Sequence, residues 1–214
     1  MKKNKLLIAL AIASCSSAVM ADEDVNYSFS LKAWNHRSSS GSSSSYVNAP
    51  ILALTAKKGD YFLTASSLLP TNFIKEDGTY FSRRDFDLAA GYSLNSNISV
   101  LGGYKRIYTG NWNFSGTTAT STPQSVNIPY LGLNGFSSIG DKSFLFGTVT
   151  RGIKVSQSGR SSTDPADIWT TLEGGYGYLL NKNTQLSAGI RLQNMKNSDS
   201  TTLSGVIFGV TLTP

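Results

Sequence analysis

Between Arg84 and Arg106 the chain reads RDFDLAAGYSLNSNISVLGGYKR, and the alternation in this stretch restricts the possible folds more than any other feature. Phe86, Leu88, Ala90, Tyr92 and Leu94 alternate with Asp85, Asp87, Ala89, Gly91 and Ser93, which is the period of a strand. A polar turn at Asn95-Ser96-Asn97 folds the stretch into a hairpin. With three residues in the turn, Leu94 faces Ile98, Tyr92 faces Val100, Leu88 faces Tyr104 and Asp87 faces Lys105. One face is then apolar and aromatic. The other is small and polar, with an acid opposite a base. No other part of the chain reads as a helix that could cover the apolar face in water.

The device recurs from Leu172 to Gln193, where Leu180-Asn181-Lys182-Asn183 repeats the Leu-Asn-x-Asn of the first turn. The same turn places Tyr178 opposite Leu186, Gly174 opposite Ile190 and Leu172 opposite Leu192, with Glu173 opposite Arg191 on the polar side. A slip of one residue mixes the two faces, so the shared register carries information. Apolar residues facing lipid and polar residues facing an enclosed lumen satisfy the pattern in both hairpins.

The connections support this. Long or polar segments at Ser38–Ser45, Pro70–Thr79, Thr109–Ser125, Ser156–Ala166 and Lys196–Ser200 alternate with short turns at Lys57–Asp60, Asn95–Asn97, Ser138–Lys142 and Asn181–Asn183. Five long and four short connections imply ten strands, with eight as the alternative, and put both termini at the short-turn end. The expected fold is all-β: a single antiparallel up-and-down transmembrane β-barrel. No apolar run in residues 22–214 approaches the ~20 residues of a membrane helix, while 20 glycines and 23 aromatic residues (3 Trp, 10 Tyr, 10 Phe) suit many strands. Closure follows from physics, because an open sheet edge in lipid leaves backbone amides unpaired. Aromatic residues fall into two groups. Tyr27, Tyr61, Phe62, Tyr92, Phe136, Phe144 and Tyr178 lie near the short turns, and Trp34, Tyr46, Tyr80, Tyr108, Trp112 and Trp169 near the long loops, as in two interfacial girdles.

The N-terminus has the form of an export signal: Lys2, Lys3 and Lys5, a short apolar run from Leu6 to Ala13, and small residues before Ala21. Cleavage is expected after Ala21, which makes residues 1–21 a signal peptide and 22–214 the barrel. The alternative is a lipoprotein processed at Cys15. The signal holds three of the 19 basic residues, so 16 face 13 acids in the remainder and the net charge falls from +6 to +3. That modest excess gives no reason to expect nucleic-acid binding. Cys15 is the only cysteine and leaves with the signal, which excludes thiol catalysis and cysteine metal sites in the mature chain.

The last strand, Leu203-Ser204-Gly205-Val206-Ile207-Phe208-Gly209-Val210-Thr211-Leu212, resembles the C-terminal strand of bacterial outer-membrane β-barrels, although the chain ends at Pro214 rather than an aromatic residue. The resemblance covers the mature chain at the level of architecture. It implies outer-membrane localisation, with lipid, lipopolysaccharide and the barrel-assembly machinery as partners.

Candidate chemistry is sparse. His36 is the only histidine and is read as a surface residue beside the Ser-rich loop. A catalytic reading of it would resemble the outer-membrane lipid A deacylases or the omptin proteases, both of which need a histidine oriented by a partner. Asp85 and Asp87 share a face and are read as lumen ion-pairing groups. Arg83 and Arg84 sit at the mouth, where they could meet lipopolysaccharide phosphates. Asp164 and Asp167 match no calcium loop, and no metal or cofactor is expected. The expected lumen pairs are Asp87 with Lys105 and Glu173 with Arg191, joined by Lys32, Asp85, Arg151 and Gln193. Four bases and three acids nearly balance, and ten strands lie near the filled end of the barrel series. The expected function is therefore non-enzymatic: a plugged or very narrow barrel with a structural or surface-interaction role. The alternatives are a small-solute channel and a hydrolase using His36.

Overall fold

The computed structural model describes residues 25–40, 43–74, 79–113, 124–153, 155–157, 168–196 and 200–214. The expected signal segment, Asp164 and Asp167 lie outside them. In chain order the strands are β1 (Asn26–Ser40), β2 (Ser43–Lys58), β3 (Tyr61–Ile74), β4 (Thr79–Ser93), β5 (Ile98–Asn113), β6 (Gln124–Ser138), β7 (Ser143–Gly152), β8 (Ser156–Gln157), β9 (Ile168–Asn181), β10 (Thr184–Lys196) and β11 (Ser200–Leu212). Only two residues form β8, which pairs with the far end of β6. The other strands close a ring of ten: each pairs antiparallel with the next, β7 with β9, and β1 with β11. Both backbone edges of the sheet are thereby consumed.

Both anticipated registers are present: Asp87 opposite Lys105 and Tyr92 opposite Val100, and Glu173 opposite Arg191 and Tyr178 opposite Leu186. The Leu-Asn-x-Asn motif explains why. Asn95 Oδ1 accepts from the backbone N–H of Asn97 at 2.8 Å and of Ile98 at 2.9 Å, and Asn181 Oδ1 accepts from Asn183 N–H at 2.9 Å. An Asx side chain thus supplies the turn hydrogen bonds. The second hairpin reaches its register by a different route, with Asn181 paired to Thr184 and a bulge before Gln185 pairs with Leu179. Gly59, at φ 58°, turns β2 into β3.

The strands run further than the lipid pattern alone suggests. Strands of 15 residues such as β1 are about 50 Å long and rise about 38 Å at a ~40° tilt, more than the ~30 Å hydrocarbon core. The Ser-rich segment read as a loop is mostly strand, with Ser38 opposite Ser45 and Ser40 opposite Ser43. Its backbone ladder continues after the apolar alternation has stopped.

The outward face is apolar along most of the wall: Leu63, Leu88, Leu131, Leu172, Ile190 and Phe208 are all exposed. The inward face is less polar than the sequence suggests. It carries two buried apolar clusters, one around Ile128, Tyr130 and Trp169 and one around Trp34, Ile51 and Ile207. Trp34 and Trp169 therefore face the lumen rather than forming a girdle. So do Phe62, packed over Gly91, and Phe144, packed over Gly177.

Candidate functional site: the cross-linked lumen

Strand alternation carries Asp85, Asp87 and Arg83 on β4 inward together, beside Lys105 on β5. Arg83 grips Asp85 with both arms of its guanidinium, Nε donating to Oδ1 at 2.7 Å and a terminal nitrogen to Oδ2 at 2.5 Å. The same terminal nitrogen donates to Gln193 Oε1 at 2.9 Å. Gln193 stands on β10, five places from β4 around the ring of ten, so this bond crosses the full diameter. Lys105 Nζ lies 3.0 Å from Asp87 and 3.9 Å from Asp85. Asp87 also accepts the hydroxyl of Tyr130 at 2.6 Å.

A second group sits on the β1–β10–β9 side. Glu173 accepts Lys32 Nζ at 2.7 Å and lies 3.4 Å from Arg191. The guanidinium of Arg191 stands 5.1 Å from the Trp34 ring, which stacks on His36 at 4.0 Å between centroids. Lys105 Nζ is 5.4 Å from the Trp169 ring. Ion pairs, hydrogen bonds and ring contacts thus link six strands (β1, β4, β5, β6, β9 and β10) through the interior. Arg83, Asp85, Lys105, Glu173 and Gln193 are all buried. Charges this far from water are tolerable only in pairs, and here each anion has at least one cation.

The lumen candidates named from sequence divide as follows. Asp87 with Lys105, Glu173 with Arg191, and Lys32, Asp85 and Gln193 all project into this network. Arg151 does not. It is exposed on the outer wall, opposite Leu131 and Thr170, because Phe144, Phe146, Thr148 and Thr150 take the inward positions of β7. Arg83 was not among the lumen candidates. It lies two residues before Asp85 on the same face, and that spacing was the available signal. Tyr130 is a second inward group the sequence did not single out. His36 is not a surface residue either: it is 1% exposed, since β1 continues past it to Ser40. Among the described residues, Trp34 Nε1, Thr171 Oγ1, Arg191 Nε and Gln193 Nε2 are buried and meet no hydrogen-bond partner. They are polar atoms of the lumen that the cross-links leave untouched.

No protein-family model matches the chain, and no curated protein matches it. Among solved structures, the outer membrane protease OmpT of Escherichia coli superposes with a TM-score of 0.57 at 14% identity, covering 90% of this chain and 97% of that one. The chain has the fold of the bacterial outer-membrane β-barrels. The barrel is also similar to Neisserial surface protein A, with a TM-score of 0.44 at 13% identity over 87% of this chain and 96% of that one. The CymD monoaromatic hydrocarbon channel gives a TM-score of 0.47 at 8% identity, over 90% of this chain and 89% of the channel.

Proposed function

We propose that the chain is an integral outer-membrane barrel whose lumen is tied shut, acting as a rigid scaffold for surface contacts and not as an enzyme or an open pore. The observation that carries this is the Arg83 fork, which holds Asp85 on its own strand and Gln193 on the opposite wall. A side chain bonded across the diameter blocks the path that a solute would take. The outward apolar face supplies the lipid contact. Export by a signal removed after Ala21 and insertion through the C-terminal strand belong to the same reading.

The geometry also favours this non-enzymatic reading over the hydrolase alternative. His36 is buried and stacked on Trp34, while Asp85 and Asp87 are already held by Arg83, Lys105 and Tyr130. General-base chemistry needs a carboxylate or imidazole free to reach a water at the mouth.

Conductance in planar bilayers tests the plug. The purified barrel is expected to insert and give no steady current above the bare membrane. Steady ohmic steps would overturn the scaffold reading in favour of the small-solute channel, with Thr171, Gln193 and the partly exposed Lys32 lining the path.

A further inference from the structure

The outward residues of β4, β5 and β6 change character along one line. On β4, Leu88 and Phe86 are followed towards the long-loop end by Arg84. On β5, Val100 and Gly102 give way to Tyr104 and Arg106. On β6, Leu133 and Leu131 give way to Pro129 and Asn127. A lipid-facing wall turns from aliphatic to charged at the edge of the hydrocarbon, so this line marks that edge at the end opposite the termini.

Just beyond it, two cations converge on one ring. The guanidinium carbon of Arg84 lies 4.7 Å from the Tyr108 centroid and that of Arg106 lies 4.8 Å from it. Both arginines are exposed. Beside them Tyr104 donates its hydroxyl to Asn127 at 2.8 Å. Among the described residues no carboxylate faces outward in this half of the wall. Asp85, Asp87 and Glu173 point into the lumen, and Asp60 and Asp141 sit by the short turns at the other end. Two like charges on one ring in a poorly screened interface repel unless an anion joins them. The tyrosine ring holds the guanidinium planes by cation–π contact. Planar forks of this kind fit phosphate by paired hydrogen bonds.

We propose that Arg84, Arg106 and Tyr108 form a headgroup site on the outer wall for a phosphorylated lipid of the surrounding leaflet, the phosphates of lipid A being the groups held. The site rests on the outer-membrane reading above and adds to it a ligand and a place. A free phosphate ion would share the chemistry, but the position at the hydrocarbon edge favours a phosphate attached to acyl chains.

The test is native mass spectrometry of the barrel in zwitterionic detergent, titrated with purified diphosphoryl lipid A. The folded barrel is expected to resist SDS without heating, and the gel shift on heating checks that each variant has folded. Arg84→Gln/Arg106→Gln is expected to weaken binding about thirtyfold, at roughly fivefold per cation near the headgroups. Arg84→Lys/Arg106→Lys is expected to fall between, because charge remains but the forks are lost. Arg151→Gln, elsewhere on the outer wall, is expected to bind as the parent does. Lipid A stripped of its phosphates is expected to bind the parent no better than the double glutamine variant binds the diphosphoryl form. Equal affinity of parent and double glutamine variant overturns the site, as does equal binding of the stripped lipid. Displacement of lipid A by millimolar inorganic phosphate reassigns the site to the free ion and overturns the lipid. All three outcomes leave the membrane reading intact; that reading fails instead if the chain stays soluble without detergent.

Discussion

Replacing Asp85 by alanine is expected to destabilise the barrel by about 3–5 kcal/mol, measured as urea-induced unfolding from lipid vesicles. Asp85 is 4% exposed and accepts both arms of Arg83. Lys105 also leans on it at 3.9 Å. Without it Arg83 keeps only the neutral Gln193 oxygen, and a buried cation is left without an anion. Removing both charges is a different experiment. Arg83→Met/Asp85→Leu deletes the pair together, and the cost is expected to shrink to near zero because no ion is stranded. The contrast between the single and the double variant separates a desolvated pair from a hydrated one. A single-variant cost below about 1 kcal/mol would place the pair in open water, where ion pairs contribute little.

Gly205→Val is expected to prevent closure, so that the chain runs at its unfolded position on unheated SDS gels. Gly205 lies on β11 between His36 of β1 and Arg191 of β10. A Cβ at this position meets the backbone oxygen of Asn35 and the Cα of His36. Backbone cannot rotate away as a side chain can, so the two strands must separate. This is the seam where the first strand meets the last, and a gap there leaves unpaired amides at membrane depth at several kcal/mol each. Gly135→Ala is the control. It sits where the nearest atom to a new Cβ is 4.0 Å away, and its effect is expected to stay within about 0.5 kcal/mol.

How much of this was legible follows from where the information resides. The faces and registers of β4–β5 and β9–β10 could be read because apolar alternation and a repeated Asx turn agree there. Neighbouring pairs such as Asp87 with Lys105 come from that register alone. The bonds across the lumen could not be read. Arg83 with Gln193 and Lys32 with Glu173 join strands that are not neighbours. Barrel curvature and stagger decide which inward residues meet, and no periodicity along one strand encodes that. Arg151 shows a different difficulty. In Ser143–Gly152 both faces carry large apolar groups, so the parity is ambiguous. Reading Phe144 as an interfacial aromatic turns it outward and so turns Arg151 inward. In the structure Phe144 instead fills the space above Gly177. Ser38–Ser45 were assigned to a loop, and His36 to the surface beside it, because side-chain alternation stops near Trp34. The β1–β2 backbone ladder needs no such alternation and continues to Ser40.

Spin labels introduced one at a time at Leu88–Tyr92 of β4 and Leu186–Ile190 of β10, in protein reconstituted into lipid vesicles, test the orientation of the wall most directly. Oxygen collision rates are expected to peak at positions 88, 90 and 92 and again at 186, 188 and 190, with minima between, since those residues face outward. Peaks at 89, 91, 187 and 189, or a flat profile along both strands, would contradict a closed barrel with its apolar face against lipid.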